Sequence, residues 1–212
     1  MIDDKPTIWF FGCSMTFGIG CHEDDEYYKK YRKKGDEIWT KMVAGYLGYN
    51  EKNMGIPGCG NMEILRCILD NKDNIKSDDI VIVGITDGSR VQSFHTFNSI
   101  VVPISYNHWM LDDFPREERG VDEDFIVSMK RYMVDCRLRY NDDHMKYDME
   151  LMKDVISIIN PKDTLFWGTD IWNDFETIAI HTKGEIFDGH WSYNGHKQMS
   201  QWVIRNKFKK FI

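Results

Sequence analysis

Thr7-Ile8-Trp9-Phe10-Phe11-Gly12, followed at once by Cys13-Ser14-Met15-Thr16-Phe17-Gly18, is the stretch from which the fold can be read. Thr7 to Phe11 is a short apolar run ended by a glycine, the pattern of a buried strand. Asp79 to Ile85 (Asp-Ile-Val-Ile-Val-Gly-Ile) is a stronger instance, rich in β-branched residues and bounded by Asp and Gly. Thr164 to Gly168, entered through Pro161-Lys162-Asp163, is a third, and Tyr49 to Met54 is a weaker fourth. The runs are nearly continuously apolar rather than alternating, as in a parallel sheet covered on both faces.

Helical patterns lie between these runs. Asp36 is placed to cap a helix carrying Trp39, Met42, Val43, Tyr46 and Leu47 on one side, with Gly48 as its stop. Asn61 to Leu69 reads as a second helix with Ile64, Leu65 and Ile68 inward. About 122 to 159 gives one long or two shorter amphipathic helices, and Ser192 to Phe211 a last one. Strand alternates with helix, so the class expected is α/β with a doubly wound parallel sheet. Residues 91–120, including His108-Trp109 and Pro115 to Arg119, have weak periodicity. They read as an excursion inserted in a single domain, of the kind that often walls a site.

Bulk properties narrow the function. At 212 residues, 42% hydrophobic and 29% charged, the chain can build a core, and global disorder is not expected. Aromatics reach 14%, enough to line a ligand cleft as well as a core. A net charge of −7 argues against nucleic acid as a partner. The basic runs Lys29 to Lys34 and Arg205 to Lys210 read as solvated surface, the first offset by Glu23-Asp24-Asp25-Glu26. Five cysteines (13, 21, 59, 67 and 136) show no CxxC spacing, which points to free thiols in a reducing compartment rather than a zinc site. No apolar run approaches a membrane span and the N-terminal residues lack a signal-peptide core, so a cytoplasmic protein without a membrane partner is expected.

Three stretches fall where a doubly wound sheet puts its chemistry, at the carboxyl ends of strands. In Gly12-Cys13-Ser14, a serine just past a glycine on a strand-to-helix turn is lifted into the crevice with its N–H free to donate. Asn53 to Asn61 (Asn-Met-Gly-Ile-Pro-Gly-Cys-Gly-Asn) has glycines that let an N–H point at a developing oxyanion. Asp188-Gly189-His190 opens the last helix with an imidazole and a carboxylate able to orient it.

The conjunction resembles the SGNH/GDSL hydrolase superfamily, especially its small phage-encoded members. Gly12-Cys13-Ser14 is similar to the family's Gly-Asp-Ser block, with Thr16 and Gly18 following. Trp39, Leu47-Gly48 and Asn53-x-Gly55-x-Pro57-Gly58 match the stretch leading to its oxyanion glycine, here Gly58. Val83 to Asp87 stands where the family has Gly-x-Asn-Asp, and Asp188 with His190 resembles the terminal block. The resemblance implies a three-layer α/β/α sandwich with a flavodoxin-like sheet and cofactor-free, metal-free ester hydrolysis. Ser14 would be the nucleophile, His190 the base and Asp188 the orienting acid. Ser14, Gly58 and the Thr86 hydroxyl would serve as oxyanion donors. The substrate it implies is a small-molecule or glycan ester, with an O-acetyl group on a carbohydrate preferred over a lipid or short-chain ester. The chain departs from the family in three ways: Cys13 replaces the block's Asp, Thr86 replaces an oxyanion Asn, and the Asp188–His190 spacing is two rather than three.

Several residues keep two readings. Asn61 either steadies the oxyanion loop or caps the following helix. Arg90 either pairs with Asp87 or holds an acidic substrate group. Trp109, Trp172 and Trp191 either stack on a sugar or fill the core. His196 reads as a packing or hydrogen-bonding residue, and Cys13 is a second candidate nucleophile. The Gly12 to Gly20 loop lacks a phosphate-loop ending and a dinucleotide register. A hydrolase fold kept for carbohydrate binding or as a virion part, without turnover, is the competing function.

Overall fold

The computed structural model describes residues 5–19, 37–88, 90–97, 100–106, 127–128, 131–132, 134–135, 140–175 and 190–208. The charged run 23–34, Cys21, Asp36, His108 to Arg119, Cys136 and Asp188 lie outside the described residues, as does the side chain of Trp172. The strands are β1 (Thr7–Gly12), β2 (Asn50–Gly55), β3 (Ile80–Gly84), β4 (Val91–Phe97), β5 (Ile100–Tyr106) and β6 (Asp163–Trp167). The helices are α1 (Ser14–Phe17), α2 (Trp39–Leu47), α3 (Asn61–Asn71), α4 (Asn141–Ile159) and α5 (Tyr193–Lys207).

Four strands form a parallel sheet in the order β2-β1-β3-β6. The chain moves outward from β1 to β2, then returns past β1 to β3, so the winding reverses between β1 and β3. That reversal is the topological switch point where open α/β sheets place ligands. Helices α2 and α5 pack together on one face, over Ile8, Phe10, Ile80 and Ile82. Helices α3 and α4 cover the other, over Trp9, Phe11, Val81 and Val83. Successive side chains of a strand alternate between faces, and with both faces covered the buried positions Ile8 to Phe11 of β1 and Ile80 to Val83 of β3 are all apolar. The architecture is a three-layer α/β/α sandwich.

β2 carries Asn50, Glu51, Lys52 and Asn53 because it is an edge strand, where charge discourages further pairing. That position explains its weak signal in the sequence. At the opposite, amino end of the sheet the buried Asp79 carboxylate accepts from Thr7 N (2.7 Å), Trp9 Nε1 (2.9 Å) and Lys76 N (2.9 Å). One side chain thus joins the start of β1 to the loop entering β3.

Two elements differ from expectation. Helix α2 begins at Trp39 after Ile38, with no side-chain cap, and ends at left-handed Gly48, whose N–H bonds Ala44 O and Gly45 O. β4 and β5 pair antiparallel in a separate two-stranded sheet, Val91 with Tyr106 and Phe97 with Ile100. The sequence between Val91 and Tyr106 carries no Asn-Gly or Asp-Gly pair to announce the pairing, which is why the sequence concealed it. Among the described residues no helix is long and apolar enough to cross a membrane.

Candidate active site

The loops after β1 and β2 meet at the carboxyl edge of the sheet. β1 ends at Gly12, Cys13 is the extended N-cap of α1, and Ser14 is its first residue. α1 makes one turn and stops at left-handed Gly18 (φ 93°). Its carbonyls are gripped from outside: Trp39 Nε1 donates to Met15 O (2.9 Å) and Asn53 Nδ2 donates to Thr16 O (2.8 Å). Gly55 has no substitute, because a Cβ there would fall on the backbone nitrogen of Phe17. Trp39, Asn53 and Gly55 therefore hold the turn that carries Ser14.

The loop after β2 is stitched to the end of β1. Ile56 N donates to Gly12 O at 2.9 Å, and the Cys59 thiol lies 3.6 Å from the same oxygen. Ile56-Pro57-Gly58-Cys59 is a turn closed by Cys59 N to Ile56 O (3.2 Å), with Gly58 at φ 76°. Proline then glycine is the pair that such a turn demands. Gly58 is exposed, and the turn's own bond does not use its N–H.

Asn61 is the first residue of α3, with Gly60 as the N-cap; Glu63 Oε2 accepts the Gly60 N–H (2.7 Å). Its amide faces the loop after β3 instead. Thr86 N donates to Asn61 Oδ1 (2.8 Å), and Asn61 Nδ2 donates to Thr86 O (3.0 Å) and to Asp148 Oδ2 (3.1 Å). Asn61 is buried with its amide committed to this clamp, so it positions the loop rather than meeting substrate. Thr86 is fully buried and its hydroxyl has no partner among the described residues. Arg90 Nη1 donates to Cys59 O (3.0 Å), tying the chain after β3 to the loop after β2.

His190 is half-buried directly before Trp191 and Ser192, whose hydroxyl caps α5 by accepting from Gly195 N (3.2 Å). Trp191 is fully buried, packed on Trp167 (5.6 Å between ring centroids), Phe175 (5.3 Å) and His196 (5.7 Å). It is a core residue, and the sugar-stacking expectation for it is withdrawn. His196 is also fully buried. Burial holds its pKa down at about 4, against a raising contact with the Ile19 backbone and with a further lowering by the charge of nearby His190. Ile19 N in turn donates to Ser14 O (3.1 Å). The start of α5 therefore adjoins the turn that carries Ser14.

Ser14 is 7% exposed, and its hydroxyl donates to Cys13 Sγ at 4.0 Å, a long contact. Catalytic hydrogen bonds commonly tighten only when substrate is bound. Cys13 belongs to the core under α3 and α4, turned away from that role. Burial, then the neighbouring Cys13 and Glu63, push the Cys59 thiol far up, so it stays neutral despite Arg90. Among the described residues no His, Cys, Asp and Glu cluster is grouped to hold a metal ion.

The sequence matches no family model and no curated protein. Among solved structures, a G-D-S-L family protein inferred to be lipolytic, from Desulfitobacterium hafniense, aligns with a TM-score of 0.37 and 11% identity. The alignment covers 94% of this chain and 98% of that one. The likeness is too distant to bear on activity.

Proposed function

We propose that this protein is a carboxylic ester hydrolase of the SGNH/GDSL type, with Ser14 as nucleophile and His190 as general base. The observation that carries this reading is convergence. The turn starting at Ser14, the Pro57-Gly58 turn and the start of α5 adjoin at the switch-point edge of the sheet, the first two stitched through Gly12 O. The sequence resemblance supports it independently.

In the proposed reaction the Ser14 oxygen attacks the ester carbonyl carbon while His190 takes the hydroxyl proton. The oxyanion is met by the N–H groups of Ser14 and Gly58. His190 then gives its proton to the departing alcohol, leaving an acyl-serine. Water attacks that carbonyl, passing a proton to His190, and the acid leaves as Ser14 recovers its proton. Asp188 would orient His190. An O-acetylated carbohydrate and a lipid or other short-chain ester are the substrate classes consistent with this chemistry.

Burial of the Thr86 hydroxyl favours a second reading, a hydrolase fold that binds without turnover. Loss of one oxyanion donor typically costs about 10²–10³ in rate. A fluorophosphonate probe together with p-nitrophenyl esters separates the two. Covalent labelling and turnover in the parent, both lost in Ser14→Ala and His190→Ala, support the hydrolase. Identical behaviour of all three proteins refutes it.

A further inference from the structure

His196 is fully buried in the first turn of α5, and neither ring nitrogen makes a hydrogen bond of regular geometry among the described residues. A buried polar group in that state costs stability. A phenyl ring of nearly the same size would fill the space without that cost. Packing alone therefore does not account for an imidazole here.

Two contacts define its place. On one side the ring meets Trp191 edge-on, with 5.7 Å between centroids and 84° between planes. Trp191 is the residue after His190, and the His196 backbone N–H donates to Ser192 O (2.9 Å). On the other side the ring lies against the Ile19 backbone, and that contact favours the protonated ring. A hydrogen-bond acceptor has that effect and a donor the opposite one, so the group in contact is the Ile19 carbonyl, facing a ring N–H. The Ile19 N–H in turn donates to Ser14 O (3.1 Å), beside the Gly18 N–H on the same oxygen (2.9 Å). One imidazole thus lies between the chain leaving the Ser14 turn and the chain leaving His190.

Trp39 and Asn53 fix the Ser14 turn against α2 and β2. His196 fixes it against α5, the helix into which His190 leads. Attack on an ester needs the serine oxygen and its base held in one geometry, and a misplacement of about 1 Å can cost about 10²-fold in rate. Burial keeps the His196 ring neutral, so it sets no positive charge against the imidazolium that forms on His190. We propose that His196 is a positioning residue for ester hydrolysis, an N–H donor to the Ile19 carbonyl that holds Ser14 and His190 in register. The loose contact tightens with substrate bound, as hydrogen bonds of a catalytic site commonly do. The kinetic half of the proposal rests on the serine-hydrolase reading; the contact itself does not.

Three substitutions test it. His196→Phe keeps the volume and removes the donor. His196→Asn and His196→Gln set an amide N–H near one or the other ring-nitrogen position, so one of them restores the donor. With p-nitrophenyl acetate, His196→Phe lowers kcat by about 10–100-fold and leaves KM within about twofold, the mark of lost alignment rather than lost binding. One amide variant returns kcat to within about threefold of the parent. The His196→Phe protein melts no lower than the parent at neutral pH. Deuterium uptake read by mass spectrometry rises over residues 14–19 in His196→Phe and falls back in the amide variant that restores kcat. Parental kcat in His196→Phe, or two amide variants no faster than the phenyl one, overturns the proposal. A melt that falls in step with kcat in all three variants assigns the ring to packing and also overturns it. A parent that turns over no ester and takes no fluorophosphonate refutes the hydrolase reading instead. Uptake over residues 14–19 then decides the contact: a rise in His196→Phe upholds it, and no change overturns it.

Discussion

Asn61→Ala is the perturbation whose outcome the structure specifies most sharply. The substitution strands three buried groups at once: the Thr86 N–H, the Thr86 carbonyl and one oxygen of Asp148, now paired at 2.8, 3.0 and 3.1 Å. A stranded buried polar group costs about 1–3 kcal/mol. With a water entering the space left by the amide to restore part of the pairing, the net loss is about 3–4 kcal/mol. In a domain of this size each kcal/mol lowers Tm by about 2–4 °C, so the variant melts about 6–16 °C below the parent. Urea unfolding followed by far-ultraviolet circular dichroism gives the free energy, and a thermal melt gives the shift. Asn61 acting only as a helix cap would cost about 1 kcal/mol. A measured loss at or below that value refutes the clamp. Asn206→Ala, which removes an exposed bond to Trp202 O, serves as the control and stays within about 0.5 kcal/mol of the parent.

Three further outcomes follow from the packing. His196 is neutral in the fold with its pKa near 4, against 6.5 when exposed. Between those values the unfolded chain binds a proton that the folded protein does not. Stability is therefore full above about pH 6.5 and falls by roughly 3 kcal/mol on acidification toward pH 4. His196→Phe removes that part of the slope, and urea midpoints that fall equally in both proteins contradict the assignment. Asp79→Asn turns one acceptor oxygen into a donor facing an N–H, and lowers stability by about 2–4 kcal/mol as read from the urea midpoint; an unchanged midpoint contradicts the hub. Gly55→Ala forces the Phe17 backbone away from β2, costing about 1–3 kcal/mol. The same change slows fluorophosphonate labelling of Ser14, while labelling at the parental rate means the contact does not position that residue.

The layers were legible in the sequence because the physics that sets them is local. β1 and β3 are covered on both faces, so their apolar runs are uninterrupted, and the Gly48 stop and the Pro57-Gly58 turn need residues that few others can replace. β2 was faint because an edge strand is free to be polar. The β4–β5 pair went unseen because the sequence there carries no Asn-Gly or Asp-Gly signal. Within the site, the two readings of Asn61 were equivalent along the chain; only its alignment with Thr86, 25 residues away, separates them. Trp167 likewise read as a strand residue, although it links Trp39 and Trp191.

Periodicity and turn chemistry alone determined the α/β class and the places where strands end in glycine-bearing turns, because each depends on neighbours within a few residues. Tertiary structure decided which polar side chains are committed to holding loops. It turned the Thr86 hydroxyl and Trp191 inward. Those outcomes depend on contacts between residues far apart in the chain, and burial, which no single residue carries, settles whether a side chain supports a site or faces it.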